Sequence, residues 1–139
     1  MSAKRVAVIG AGPGGYVAAI RAAQLGADVT VVERGDVGGT CLNVGCIPTK
    51  ALVRSAEVLD LAKRSAEFGV VTSVDSLDMG KVAARKAAVV SQLVGGVQML
   101  LKTWGVEVVQ GTARVPDPSH VEVAKTDGTT VTLETKNII

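Results

Sequence analysis

The sequence predicts an α/β fold in which helices cover a parallel sheet and a small antiparallel hairpin follows. Three patterns indicate this fold: short apolar runs typical of buried strands, longer segments with apolar residues at helical spacing, and alternating apolar and polar residues near the end. The chain of 139 residues is 47% hydrophobic but only 2% aromatic, so Val, Ala, Leu and Ile must form its core. This length suits one domain.

The first third of the chain is predicted to form a βαβ unit. Residues 5–9 are an apolar strand ending at Gly10, residues 13–26 a helix with Gly26 as a candidate C-cap, and residues 28–33 a second strand. The two strands should therefore lie parallel in one sheet.

The middle third is predicted to be mainly helical. Residues 34–45 read as an irregular glycine-rich loop, residues 47–68 as a helix with Pro48 in its first turn, and residues 79–104 as a long helix. Gly95 and Gly96 interrupt this last helix, and we expect a kink or break there.

The last third is predicted to be β-structure. Residues 106–109 form a third strand, and residues 121–123 and 130–133 form a hairpin or meander around an Asp127-Gly128 turn. Residues 137–139 read as the opening of another buried strand, which suggests the front part of a longer protein whose domain is truncated before its last strand.

A dinucleotide fingerprint joins the first strand to the first helix. Gly10 permits a tight turn, Gly12 allows a pyrophosphate to approach the backbone, and Gly15 allows close helix–strand packing. Glu33, which ends the second strand, can accept hydrogen bonds from a ribose. The fingerprint predicts a Rossmann-like nucleotide site but does not distinguish FAD from NAD.

The two cysteines of the chain, Cys41 and Cys46, admit three interpretations. Zinc is disfavoured, because four ligands are needed and the single histidine, His120, lies in the hairpin region; no metal site is expected. Inert thiols or a structural staple are disfavoured, because so small a loop gains little from closure. A redox-active pair is favoured, since Cys46 precedes a helix whose dipole favours a thiolate and Lys50 adds positive charge.

Charge and hydropathy exclude several partners. A net charge of +2 with few aromatic residues argues against nucleic acid, and His120 is expected on the hairpin surface. No apolar run reaches the roughly 18 residues of a membrane span, and the basic start lacks the apolar helix of a signal peptide. We therefore expect a cytoplasmic protein.

The segment from Gly38 to Lys50, read with the fingerprint, resembles the flavin-dependent pyridine nucleotide-disulfide oxidoreductases and, within them, the dihydrolipoyl dehydrogenases. Glutathione and mercuric reductases carry similar loops, usually with Val in place of Leu42 and Ile47. Thr49 is more often Ser in the dehydrogenases. A related disulfide reductase and a non-catalytic nucleotide-binding module therefore stay open as alternatives.

The resemblance implies that FAD is the cofactor and NAD⁺ the co-substrate. Cys46 would be the sulfur next to the flavin, in a charge-transfer pair, and Cys41 the sulfur that exchanges with substrate, the two forming a redox-active disulfide. The implied FAD contacts are Gly10, Gly12, Pro13, Gly14, Gly15, Glu33, Arg34, Gly38, Gly39, Thr40, Cys41, Lys50, Gly111 and Ala113.

The resemblance also implies the organisation of a larger protein. Residues 1–139 would be an incomplete N-terminal FAD-binding domain, with NAD-binding and dimerisation domains beyond residue 139 and little or no turnover by this chain alone. The whole protein would be a homodimer that serves the lipoyl-bearing E2 component of a 2-oxo acid dehydrogenase complex.

Overall fold

A computed structural model describes residues 4–139, so the first residues of the basic start lie outside the described part. Two three-stranded sheets and four α-helices make up this part of the chain. The parallel sheet contains β1 (Arg5–Ile9), β2 (Asp28–Glu33) and β3 (Glu107–Gln110). The antiparallel sheet contains β4 (Thr112–Asp117), β5 (His120–Ala124) and β6 (Thr130–Glu134). The helices are α1 (Pro13–Gln24), α2 (Gly39–Asn43), α3 (Cys46–Lys63) and α4 (Met79–Thr103), and a 3₁₀ turn follows α3 at Ser65–Phe68.

The predicted βαβ unit is confirmed. β1 pairs in parallel with β2, and Val8 lies opposite Val31. α1 begins with Pro13 as its first residue and ends before Gly26, whose φ of 86° lies in the left-handed region that favours glycine. Ala19 of this helix is fully buried, because its small side chain lets the helix approach the sheet closely.

The parallel sheet lies between two different layers. Val31 and Val32 are both buried because successive strand residues face opposite sides. Val31 joins a cluster with Ala19 of α1 and Leu101 of α4, whereas Val32 joins a cluster with Val121 and other residues of the antiparallel sheet. The architecture is therefore helices, parallel sheet and antiparallel sheet in three layers.

The last residues, predicted to open a buried strand, pair with β1, although Ile139 is exposed. Ile138 bridges Ala7 in parallel, the Ile9 amide donates to the Ile139 carbonyl at 2.8 Å, and the Ile139 amide donates to the Ala7 carbonyl at 2.9 Å. This segment lies on the side of β1 away from β2.

Three sequence expectations were wrong in detail. The predicted irregular loop contains α2, because buried Leu42 anchors a helical turn to the core. The helix predicted over residues 47–68 begins at Cys46, and its regular part ends at Lys63. α4 runs without a break through Gly95 and Gly96, since buried Val97 and Leu101 hold the following turns against the core.

The end of the chain is the predicted antiparallel meander, with one strand more than the two that the sequence located. β4 adds a third antiparallel strand whose residues are mostly exposed, so it lacks the apolar alternation that identified the other two. Among residues 4–139, no helix is long and apolar enough to cross a membrane.

Candidate active site

The fingerprint turn brings β1, α1 and β2 together. Gly10 has a φ of 98°, and its amide donates to the Val32 carbonyl at 2.7 Å. A Cβ at Gly15 would overlap the carbonyl oxygen of Gly10, so the first turn of α1 packs against the strand exit only with glycine there. The predicted structural roles of both glycines are confirmed.

The start of α1 presents open backbone. Gly12 is the N-cap, no side chain caps the helix, and Pro13 is the exposed first residue. A Cβ at Gly10, Gly12 or Gly14 would meet no atom within 4 Å. Since helix N-terminal amides favour anions, this surface fits a pyrophosphate group.

Glu33 ties the turn to the end of β2. One carboxylate oxygen accepts a hydrogen bond from the Ala11 amide at 2.6 Å, and the other accepts one from the Gly35 amide at 2.8 Å. A carboxylate oxygen has more than one lone pair, so both can still accept a ribose hydroxyl. The sequence did not predict the two backbone partners.

A cleft of about 550 Å³ opens beside this turn. Cofactor sites usually have volumes of about 300 to 1,000 Å³, so the cleft could hold a large part of a dinucleotide. It is lined by seven of the predicted contacts: Gly10, Glu33, Arg34, Gly39, Thr40, Gly111 and Ala113. Further lining residues, which the sequence reasoning did not select, include Ile9, Asp36, Asn43 and Val44.

Gly111 and Ala113 bring the antiparallel sheet to the cleft. The Gly111 amide donates to the Glu33 carbonyl at 2.8 Å. A Cβ at Gly111 would lie 2.6 Å from the Ala124 carbonyl oxygen, so a glycine is needed where β3 leads into β4. This turn places Ala113 at the cleft edge and joins the two sheets.

Gly38 and Gly39 bring the cysteine segment against the fingerprint. The Gly38 amide donates to the Ala11 carbonyl at 2.8 Å, and Gly38 has a φ of 98°. A Cβ at Gly39 would lie 2.9 Å from the Gly12 Cα. Two motifs separated in sequence therefore meet at backbone contact, and Thr40 reaches the cleft from α2.

The cysteines lie on two consecutive helices. Cys41 is half-buried in α2, and Cys46 is exposed as the first residue of α3. Gly45 permits the sharp turn between them, because a Cβ there would lie 2.9 Å from the Thr40 carbonyl oxygen. Both residues are thiols here.

The two thiols are close enough for Cys46 to influence the ionisation of Cys41. A hydrogen bond between them, then burial and the charge of Cys46, raise the pKa of Cys41, while Lys50 exerts a smaller opposite effect. Cys46 and Lys50 therefore both lie near enough to Cys41 to affect its charge. These three residues and Gly12, Pro13, Gly14, Gly15 and Gly38 do not line the cleft itself.

His120 belongs to a different region. Its Nδ1 lies 2.8 Å from a carboxylate oxygen of Asp117, at the start of β5. Hydrogen bonds from the Ser119 amide and then from His120 lower the pKa of Asp117. The structure therefore agrees with a hairpin position for His120, and within residues 4–139 no cluster of acidic, His and Cys side chains could hold a metal ion.

Comparison with known proteins agrees with this arrangement. The chain is 53% identical over 120 residues to the dihydrolipoyl dehydrogenase of Geobacillus stearothermophilus, which covers 86% of this chain and 26% of that protein. It is 48% identical over 135 residues to the dihydrolipoyl dehydrogenase of Acholeplasma laidlawii, covering 96% of this chain and 39% of that protein. The chain thus spans between about a quarter and two-fifths of the length of these relatives.

A solved structure shares the fold. The crystal structure of LpdA from Mycobacterium tuberculosis superposes with a TM-score of 0.82 at 21% sequence identity, over 97% of this chain and 30% of that one. The family model described as pyridine nucleotide-disulphide oxidoreductase matches residues 4–139. The chain therefore belongs to the pyridine nucleotide-disulphide oxidoreductase family.

Proposed function

We propose that this chain is the N-terminal FAD-binding part of a dihydrolipoyl dehydrogenase, which oxidises dihydrolipoyl groups to lipoyl groups with NAD⁺. The observation that carries the proposal is the contact between the two motifs. Gly39 packs against Gly12, so a thiol pair is held beside a dinucleotide cleft. About 50% identity to proteins named dihydrolipoyl dehydrogenase supports this substrate over glutathione.

The described residues fit FAD at the cleft. The open amides at the start of α1 would hold the pyrophosphate, and Glu33 would hold the adenosine ribose. Gly111 and Ala113 would border the adenine, and Thr40 would direct the cofactor towards the cysteines. Lys50 would lie near the flavin ring and place a positive charge there.

The cysteines would carry out the exchange with substrate. A dihydrolipoyl thiolate attacks the Cys41 Sγ of an oxidised Cys41–Cys46 pair, the bond between the two cysteines breaks, and Cys46 leaves as a thiolate. The second dihydrolipoyl thiol then attacks the substrate sulfur of the mixed disulfide, and Cys41 leaves as a thiolate. This releases the lipoyl disulfide and leaves two cysteine thiols, so two electrons have passed from substrate to protein.

Bound FAD would accept these two electrons from the dithiol and transfer them to NAD⁺, which the protein residues alone cannot do. The E2 component as partner, the homodimeric state and the cytoplasmic location stay predictions for the whole protein.

The test uses the natural full-length protein and two cysteine variants. The purified protein should contain FAD, and anaerobic dihydrolipoamide should bleach the flavin absorbance. Cys41→Ser and Cys46→Ser should keep the FAD, lose this bleaching and lose turnover by a factor of about 10³ or more.

Three results would contradict the proposal. Bleaching by dihydrolipoamide that persists in both cysteine variants would show that the thiols do not carry the electrons. Preference for glutathione over dihydrolipoamide would favour another disulfide reductase, and a protein that folds but binds no flavin would favour a non-catalytic module.

A further inference from the structure

Asn43 stands between the two cysteines, as the last residue of α2. Its side-chain Nδ2 donates hydrogen bonds to the Gly39 carbonyl at 2.9 Å and to the Val37 carbonyl at 3.1 Å. One amide group therefore ties the end of α2 to its first residue and to the segment that leads into it. Asn43 is half-buried, so these bonds are partly shielded from water.

α2 cannot hold its own position. It has five residues and no side-chain N-cap, and a helix this short is unstable without outside contacts. Leu42 anchors one face in the core. The Asn43 amide supplies a polar attachment to the Val37 carbonyl, just before the helix.

α3 differs from α2 in this respect. It has 18 residues, and Pro48 and Ala51 bury its first turns, so the backbone of Cys46 is held independently. The Thr49 hydroxyl also donates to the Gly45 carbonyl at 2.7 Å. The distance between the two sulfurs therefore depends mainly on where α2 places Cys41.

We propose that Asn43 is a positioning residue, whose two donated hydrogen bonds keep the Cys41 thiol against Cys46 and thereby favour the disulfide over the dithiol. The reason is effective concentration: a sulfur held beside its partner closes the bond with little loss of freedom. The inference rests on the proposed function only in that the pair is redox-active.

The test is a thiol–disulfide equilibrium, measured in the natural full-length protein freed of flavin. The two cysteine thiols react with glutathione disulfide, giving one protein disulfide and two glutathione thiols. After quenching by alkylation, trypsin cuts after Arg34 and Lys50, so one peptide reports both cysteines by mass spectrometry. The equilibrium constant for disulfide formation is compared between variants.

The decisive variants are Asn43→Ala and Asn43→Asp, with Asn137→Ala as matched control. Asn137 also donates an amide hydrogen bond to a carbonyl, that of Arg5 at 2.8 Å, far along the chain from the cysteines. Asn43→Ala should lower the constant about tenfold, whereas Asn137→Ala should leave it within about twofold. Asn43→Asp keeps the shape of the side chain but cannot donate a hydrogen bond. Its negative charge disfavours thiolates, so the charge alone would not lower the equilibrium constant for disulfide formation. A lower constant in Asn43→Asp therefore reports the lost hydrogen bonds.

Several outcomes would overturn the inference. They are an unchanged constant in both Asn43 variants, an equal fall in Asn137→Ala, and complete unfolding of both Asn43 variants, which would mean that the residue supports the whole fold. The proposed function is tested separately, because failure to bind FAD or to oxidise dihydrolipoamide would leave this equilibrium measurable.

Discussion

The fingerprint turn requires glycine at position 15, because there is no space for a side chain there. Its α-carbon faces the Gly10 carbonyl so closely that a Cβ would overlap that oxygen, and backbone atoms cannot move aside as a flexible side chain can. Its neighbour Gly14 has open space at the same point. Two adjacent glycines of one motif thus serve different purposes.

We therefore expect opposite effects of alanine at these two positions. Gly15→Ala should lower the free energy of unfolding by about 2 kcal/mol or more, because of overpacking. Gly14→Ala should leave it unchanged or raise it by about 0.5 kcal/mol, because alanine restricts the unfolded chain. Urea unfolding followed by the fluorescence of Trp104 measures both, and equal losses in the two variants would contradict the assignment.

Cys41 gives a prediction that depends on pH. Its pKa lies above the ordinary value of 9.0, first because of the hydrogen bond with the Cys46 thiol. Only the thiolate reacts with iodoacetamide, so the labelling of Cys41 in the flavin-free reduced protein should reach its midpoint at a higher pH than that of an ordinary cysteine.

The matching variant is Cys46→Ala, which removes the neighbour and should move the labelling midpoint of Cys41 to lower pH. Because the folded protein retains this proton longer than the unfolded chain, the reduced protein should also lose stability as the pH rises past 9.0. A midpoint that does not respond to Cys46→Ala would show that the thiol contact is not the cause.

Thr49 illustrates a harmless departure from the resemblance. Serine is more usual at this place in the dehydrogenases, but the hydrogen bond here uses the Thr49 hydroxyl, which donates to the Gly45 carbonyl. Serine has the same hydroxyl. The substitution therefore keeps the contact at the start of α3.

At the scale of elements, α4 shows how packing overrides local propensity. Two adjacent glycines should weaken the helix by about 1 kcal/mol each relative to alanine. α4 nevertheless continues for 25 residues, because Val97 and Leu101 are buried in the main core. Its end is set instead by Gly105, which has a φ of 68°.

Alanine at the two kinds of glycine should therefore have effects of opposite sign. Gly95→Ala should raise the free energy of unfolding by about 0.5 to 1 kcal/mol, since its Cβ would meet no atom within 4 Å. Gly105→Ala should lower it by about 1 kcal/mol, because an L-residue is strained in the left-handed region. Thermal unfolding followed by circular dichroism compares them, and a loss in Gly95→Ala would show that α4 needs glycine there.

At the scale of the whole molecule, Thr135 joins the antiparallel sheet to the parallel one. It is only 5% exposed, and its hydroxyl donates to the Arg5 carbonyl at 2.8 Å and accepts from the Asn137 amide at 3.1 Å. These bonds guide the chain from β6 to the segment that pairs with β1.

We expect Thr135→Val to lower the free energy of unfolding by about 1 to 2 kcal/mol, because it keeps the shape and removes both hydrogen bonds. Exposed Thr132→Val serves as control and should change it by less than about 0.5 kcal/mol. Urea unfolding of both proteins measures the difference. Equal values would mean that the Thr135 hydroxyl does not stabilise the connection.

Features that depend on neighbouring residues could be predicted from the amino-acid sequence. Apolar runs located β1, β2 and β3, alternation located β5 and β6, helical spacing located α3 and α4, and the fingerprint and cysteine motifs indicated the candidate site residues. These signals are local, since the periodicity of apolar residues within a segment indicates whether it forms a strand or a helix. The strand-like segment at residues 137–139 was also indicated by its apolar residues, but its pairing with β1 was not.

Features that depend on contacts between separate segments could not be predicted in this way. α2 exists because Leu42 packs in the main core, and β4 forms because β5 pairs with it despite its weak pattern. Likewise, the Glu33 carboxylate accepts hydrogen bonds from the amides of two loops, and the backbone of Gly39 packs against that of Gly12. A short element or a close backbone approach is stabilised by contacts with other segments of the chain. The residues of the element itself therefore do not predict it.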